Sequence, residues 1–84
     1  MNRDEVFENV SQILSAYLRL KPGEITEASH VVQDLGADSL ALVELGFKFM
    51  EAFGIGMIDP VDSLLIMGNL VDHIVSQRQA AAVQ

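Results

Sequence analysis

Ser39 is the residue whose type and placement could do chemistry. It stands between Asp38 and Leu40, just past the turn-forming run Asp34-Leu35-Gly36-Ala37-Asp38 and at the start of a segment with helical spacing. Serine at such a position is a common helix N-cap, because its oxygen accepts an otherwise unpaired first-turn N–H. Asp38 can cap equally well, and with Leu42 rather than Glu or Gln three residues on, the reciprocal capping box is absent. As a nucleophile, the serine would need a positioned base. The two histidines, His30 in a loop and His73 on the last helix, fall in no nucleophile motif, and His73 reads as a half-exposed packing residue. Asp59 and Asp62 lack the alternating oxygens, central Gly and final Glu of a calcium loop. No catalytic constellation and no metal site is identified, so an independent enzyme is set aside.

The elements that must position this serine are helical. Val6, Phe7, Val10, Ile13, Leu14, Tyr17 and Leu18 recur at steps of three and four, the mark of an amphipathic helix. Asn2 or Asp4 can cap it, and Pro22-Gly23 is expected to stop it. Residues 21–38 have no sustained period and read as a long loop pinned by Ile25, Val31, Val32 and Leu35, with Gly36 permitting a positive φ before the serine. Ser39–Phe53 is the second helix, closed by Gly54-Ile55-Gly56. Asp59-Pro60 is expected to open a short third helix over 60–66, with Asp as cap. Gly68-Asn69 punctuates the chain again before a last helix carrying Leu70, Val71, Ile74 and Val75, and 79–84 is expected to fray. The fold class is all-α: a four-helix bundle of three main helices and a short third one, with a long loop between helices one and two.

The second helix is more apolar than a core helix requires. At about 100° per residue, Glu44, Lys48 and Glu51 share a polar stripe, with Glu44 and Lys48 spaced to pair. Leu42, Leu45, Phe49 and Phe53 form the core face, which leaves Leu40, Val43, Phe47 and Met50 as a second apolar stripe. Either the helix is buried all round, or this stripe is a docking face bordered by Glu44 and Glu51. Gly46, mid-helix, costs about 1 kcal/mol against alanine. Close packing of a neighbour on bare backbone is the expected reason, and space for an apolar ligand beside Phe49 and Phe53 is the alternative.

Composition narrows the partners. The chain has 84 residues, half of them hydrophobic, with no cysteine and a net charge of −7. One small domain is the most it can form, and neither disulfides nor zinc thiolates can supplement its core. Nucleic acid, which needs clustered Lys and Arg, is an unsuitable partner; basic patches on proteins suit an acidic chain better. No apolar run is long enough to span a membrane, and the charged start Met1-Asn2-Arg3-Asp4-Glu5 does not read as a signal peptide. A cytoplasmic monomer is expected.

The run Asp34-Leu35-Gly36-Ala37-Asp38-Ser39-Leu40, followed by Val43, Glu44 and Leu45, resembles the attachment motif of the acyl carrier proteins. The resemblance extends over nearly the whole chain, through the Pro-Gly-Glu-Ile-Thr loop and Val71-Asp72-His73-Ile74. It implies a single carrier domain over 1–84. Ser39 would bear a 4'-phosphopantetheine arm, attached from coenzyme A by a phosphopantetheinyl transferase, with Asp38 helping to hold the transferase's magnesium. The arm's thiol would carry acyl or aminoacyl groups as thioesters to acyl-transferring and synthase enzymes. Leu40, Val43, Glu44, Phe47, Met50 and Glu51 would face those partners. An unmodified helical interaction module is the competing reading.

Departures from the family pattern are specific. Carriers of fatty-acid synthesis usually place carboxylates where this chain has Ala41, Met50 and Ala52, and Lys48 adds a positive charge. Gly54-Ile55-Gly56-Met57-Ile58-Asp59-Pro60 replaces the usual acidic stretch, and Val61–Ile66 is unusually apolar. These differences point to a specialised carrier with a dedicated synthase, acyltransferase or ligase, its cargo an unusual acyl chain, a polyketide intermediate or an amino acid.

Overall fold

Asn2 starts the first helix, α1 (Arg3–Leu18), by accepting the Glu5 N–H on its side-chain oxygen at 2.9 Å. Asp4 and Glu5 in the first turn suit the positive end of the helix dipole. The computed structural model describes residues 2–21 and 23–83, with side chains as far as Gln79. The helix ends earlier than the Pro-Gly pair predicted: Arg19 turns left-handed at φ 58°, and the N–H groups of Arg19 and Leu20 both close on Ser15 O. Leu20 packs against the core, the apolar contact that commonly accompanies such a cap. Pro22 itself lies outside the described residues.

Helix α2 (Ser39–Phe53) has the predicted bounds, with Gly54 left-handed at φ 65° as its C-cap. A single 3-10 turn, Asp62–Leu65, follows, then α3 (Met67–Val83). The chain is all-helical with three α-helices and, among the described residues, no strand; His30 and Ile66 form one isolated bridge. Helix α1 packs on both α2 and α3, and the 62–65 turn packs on α3.

The expected helix over 60–66 is thus a correction. Asp59-Pro60 precedes the turn instead of capping it; Val61 holds the cap position with no side-chain hydrogen bond. Tertiary bonds outweigh the local signal here. Asp62 spends its carboxylate on His30, while Leu65 O accepts Val31 N–H at 2.8 Å and Ile66 is extended, which ends the turn after four residues.

Gly68-Asn69 is likewise no break, since both lie in the first turn of α3. The loop caps this helix with backbone: Met67 N–H donates to Ser29 O and Gly68 N–H to Glu27 O, each at 2.8 Å. A Cβ on residue 68 would lie 2.7 Å from Glu27 Oε1 and 3.2 Å from Glu27 O, so glycine is there for close approach. The backbone of α3 stays helical to Val83; the fraying expected over 79–84 falls mostly on side chains outside the described residues.

Val6, Val10 and Leu14 of α1 meet Leu45, Phe49 and Phe53 of α2 and Met67, Val71 and Ile74 of α3 in one core. Fully burying such side chains stabilises by roughly 1.5–3 kcal/mol each. Ile25, Val31 and Leu35 anchor the long loop as predicted; Val32 is only half-buried, and Ala37 is buried in addition. A bidentate ion pair fixes the loop's middle. Arg3 donates to both Glu27 oxygens at 2.7 and 3.0 Å and to Asp72 at 2.6 Å, tying α1, loop and α3 together. These hydrogen bonds raise the Arg3 pKa and hold the Glu27 carboxyl below its ordinary value.

Candidate functional site

Local backbone bonds build the platform under Ser39. His30 O accepts the N–H groups of Asp34 and Leu35, Gly36 N–H reaches Val32 O, and Ala37 N–H reaches Val31 O. Gly36 passes through φ 81°, a conformation that costs a side-chain-bearing residue energy, and this reverses the chain. With Leu35 and Ala37 buried on either side of it, Asp38 and Ser39 are pushed outward and both are exposed.

Asp38 resolves the capping alternatives. Its Oδ1 accepts the Ala41 N–H at 2.8 Å, leaving Ser39 as the first residue of α2. The Ser39 hydroxyl has no hydrogen-bond partner among the described residues, and the second Asp38 oxygen is also unengaged. Among the described residues no base is hydrogen-bonded to the hydroxyl: His30 is committed to Asp62 and to the backbone of Val32 and Gln33, and His73 lies half-buried on α3.

A groove of about 450 Å³ runs from Ser39 between α2 and the 57–60 segment, lined by Leu42, Val43, Gly46, Met57, Ile58 and Pro60. Leu42, Gly46, Ile58 and Pro60 also line a smaller cavity of about 40 Å³ that continues inward to Leu45, Phe49, Leu64 and Leu70. Close packing at Gly46 is therefore overturned. A Cβ there would meet nothing within 4 Å, so the missing side chain opens space at the junction of groove and cavity.

The second apolar stripe of α2 faces solvent, which removes the buried-all-round alternative. Leu40 is 69% exposed, Val43 55% and Phe47 54%, with Glu44 and Glu51 exposed beside them and Met50 half-buried. Of the expected core face, Leu45, Phe49 and Phe53 are buried, while Leu42 packs against the core only partly buried and also lines the groove; Ala41 is buried in addition. Glu44 and Lys48 do not pair; Lys48 Nζ instead sits 5.8 Å from the centre of the Tyr17 ring on α1. Met57, exposed on the far wall of the groove, extends the apolar surface beyond the helix. Sequence reasoning missed His30–Asp62 and Arg3–Glu27–Asp72, since neither pairing has a local spacing signal.

Comparison with known proteins agrees with this geometry. Residues 8–62 match the family model for a phosphopantetheine attachment site. Over 83 residues the chain is 39% identical to the acyl carrier protein of Guillardia theta, covering 96% of this chain and all of the relative. It is 35% identical over 74 residues to the acyl carrier protein of Thermotoga maritima, covering 87% and 91%. With a mitochondrial acyl carrier protein of Neurospora crassa it shares 37% over 82 residues, 95% of this chain and 61% of that relative. The chain belongs to the acyl carrier protein family, as a non-catalytic carrier with covalently attached 4'-phosphopantetheine.

Proposed function

We propose that Ser39 is the attachment residue and that the arm's thiol holds acyl or aminoacyl groups as thioesters. The observation that carries this reading is an exposed hydroxyl without a protein partner, at the mouth of an apolar groove. The residues fit the group: Ser39 Oγ is free to form the phosphodiester, and the prosthetic group supplies the sulfur that a cysteine-free chain lacks. Asp38 serves two ends at once, one oxygen capping α2 and the other open toward a transferase-bound magnesium. The groove past Leu42 and Gly46 receives the proximal part of an apolar cargo, removing it from water.

Leu40, Val43, Glu44, Phe47, Met50 and Glu51 form the partner-facing surface for the transferase and for acyl-transferring and synthase enzymes. Apolar anchors edged by carboxylates suit transient docking on a pocket with basic residues at its rim. The sparse charge of α2 favours a specialised lipid, polyketide or aminoacyl pathway over general fatty-acid synthesis. The 62–65 turn takes the place of the short third helix in a four-helix carrier bundle, and residues 1–84 act as one carrier domain, a cytoplasmic monomer. None of the described helices is long and apolar enough to cross a membrane.

Intact-mass measurement after incubation with coenzyme A, magnesium and a broad-specificity phosphopantetheinyl transferase tests the assignment. One added phosphopantetheine on wild type, lost in Ser39→Ala, is the expected result. A wild type that stays unmodified would return the chain to an unmodified helical interaction module.

A further inference from the structure

His30 is only 8% exposed, and the carrier reading gives it no task. Its ring is fixed at both nitrogens. Nδ1 faces the N–H groups of Val32 and Gln33 at 3.2 and 3.1 Å, so it must accept, and the ring proton resides on Nε2. Nε2 then donates to Asp62 Oδ1 at 2.9 Å, although the Asp62 side chain is itself 81% exposed. The backbone of His30 belongs to the turn that presents Asp38 and Ser39: its N–H donates to Asp34 Oδ2 and its carbonyl accepts from Asp34 and Leu35. One imidazole thus joins the attachment platform to the start of the 62–65 turn.

That turn is held differently at its two ends. Backbone bonds pin its far end, through Val31 N–H to Leu65 O and Met67 N–H to Ser29 O. At the near end Val61 has no side-chain cap and residues 55–61 have no regular structure; two side-chain bonds hold the turn there, His30 Nε2 to Asp62 and Asn69 Nδ2 to Ser63 O at 3.0 Å, and of these only the first reaches the attachment platform. Leu64 and Leu65 of this turn, with Asp59 and Pro60 ahead of it, wall the inner cavity opposite Leu42 and Gly46. At about 40 Å³ that cavity has room for only a few atoms, since one water takes on the order of 10–15 Å³. A chain that outgrows the outer groove enters only if this wall moves.

We propose that the His30–Asp62 hydrogen bond is the latch of the cavity wall, making His30 a positioning residue that sets how long a cargo the interior admits. Releasing Asp62 cuts the turn's tie to the attachment platform, so that it pivots on the bonds that remain, Asn69 to Ser63 O and the pinned Leu65–Met67 segment, and Leu64 moves away from Gly46. The inference rests on the groove below Ser39 as the cargo site, but the motion of the wall can be read without any cargo.

Asp62→Ala is the test, since Asp62 is exposed and its loss leaves the core untouched; Asp62→Asn keeps an acceptor for Nε2 and should restore wild-type behaviour. In the unloaded protein, hydrogen exchange at the Leu64 amide should rise about fivefold in Asp62→Ala, the factor for one hydrogen bond of ordinary net strength. With dodecanoyl- and butyryl-loaded protein, base hydrolysis of the long thioester should slow by up to about fivefold in the variant, because admission no longer requires breaking the latch. The short thioester should not change. Unchanged Leu64 exchange, or equal effects on both chain lengths, overturns the latch. Failure to load Ser39 would instead strike the attachment assignment and leave the exchange result to decide the latch.

Discussion

Asp38 Oδ1 accepts the Ala41 N–H at 2.8 Å, so the cap of α2 rests on the residue before the exposed serine and not on the serine itself. The hydroxyl and the cap are therefore separable by mutation. Ser39→Ala should abolish modification while leaving the melting temperature and circular dichroism near wild type. Asp38→Ala should lower stability by about 1 kcal/mol, the usual cost of a lost side-chain cap. A collapsed fold in Ser39→Ala would mean that the serine is structural after all.

Gly46 separates stability from cargo capacity. Its Cβ position is open, so Gly46→Ala should raise stability by up to about 1 kcal/mol through helix propensity alone. Gly46→Leu fills the junction between groove and cavity. It should fold at least as well as wild type yet shield long acyl thioesters less than short ones, as read by base hydrolysis across a chain-length series. Equal losses at every length would remove Gly46 from the cargo path.

The Arg3–Glu27 pair gives a pH prediction whose sign follows from the direction of the shift. Hydrogen bonds from Arg3 hold the Glu27 carboxyl below its ordinary value of 4.5. A carboxyl lowered on folding contributes stability above its unfolded pKa and loses it as pH falls through the folded one. Glu27→Gln should thus melt below wild type at neutral pH, and the gap should close as pH drops below about 4. Glu27 is exposed and Arg3 partly so, so salt should shrink the gap as well. Thermal melts at several pH values check this, and a gap that is constant with pH would show that packing, not charge, is lost.

How much of this was legible in the sequence depended on whether the deciding bonds were local. The bounds of α2 were, because Asp38 and Gly54 cap it from adjacent positions. The seven-residue motif carried the family, and it is also what singles out Ser39 as the proposed attachment residue. Local signals misled where distant partners took over. Asp59-Pro60 signals a helix start, but Asp62 is drawn to His30, and the bridge at Ile66 stops the turn. Gly68 signals a break, but the glycine admits Glu27 to the first turn of α3. The open space at Gly46 had no sequence signal, since close packing and a cavity make the same demand on residue type.

Partner docking is where the charge pattern makes its sharpest claim. Helix α2 carries the carboxylates Glu44 and Glu51 and the ammonium of Lys48, so little of the chain's net charge of −7 lies on its proposed recognition face. Leu40, Val43 and Phe47 are more than half exposed on that face, and Met57 continues it across the groove. Apolar burial is nearly indifferent to ionic strength, whereas exposed charges are screened within about 10 Å at 0.1 M salt. Binding to the cognate enzyme should therefore weaken only slightly between low and high salt. Phe47→Ala should cost on the order of 2 kcal/mol, as an aromatic anchor at the centre of an interface often does. Turnover with a general fatty-acid ketosynthase should be poor and should improve when Met50→Glu restores a carboxylate at a half-exposed position. Ala41→Asp is less suited to that purpose, because Ala41 is buried and its N–H already serves the Asp38 cap. Titration of the cognate enzyme at two salt concentrations decides the matter. A steep salt dependence with an innocuous Phe47→Ala would show that Glu44 and Glu51 dominate docking and that the apolar stripe is incidental.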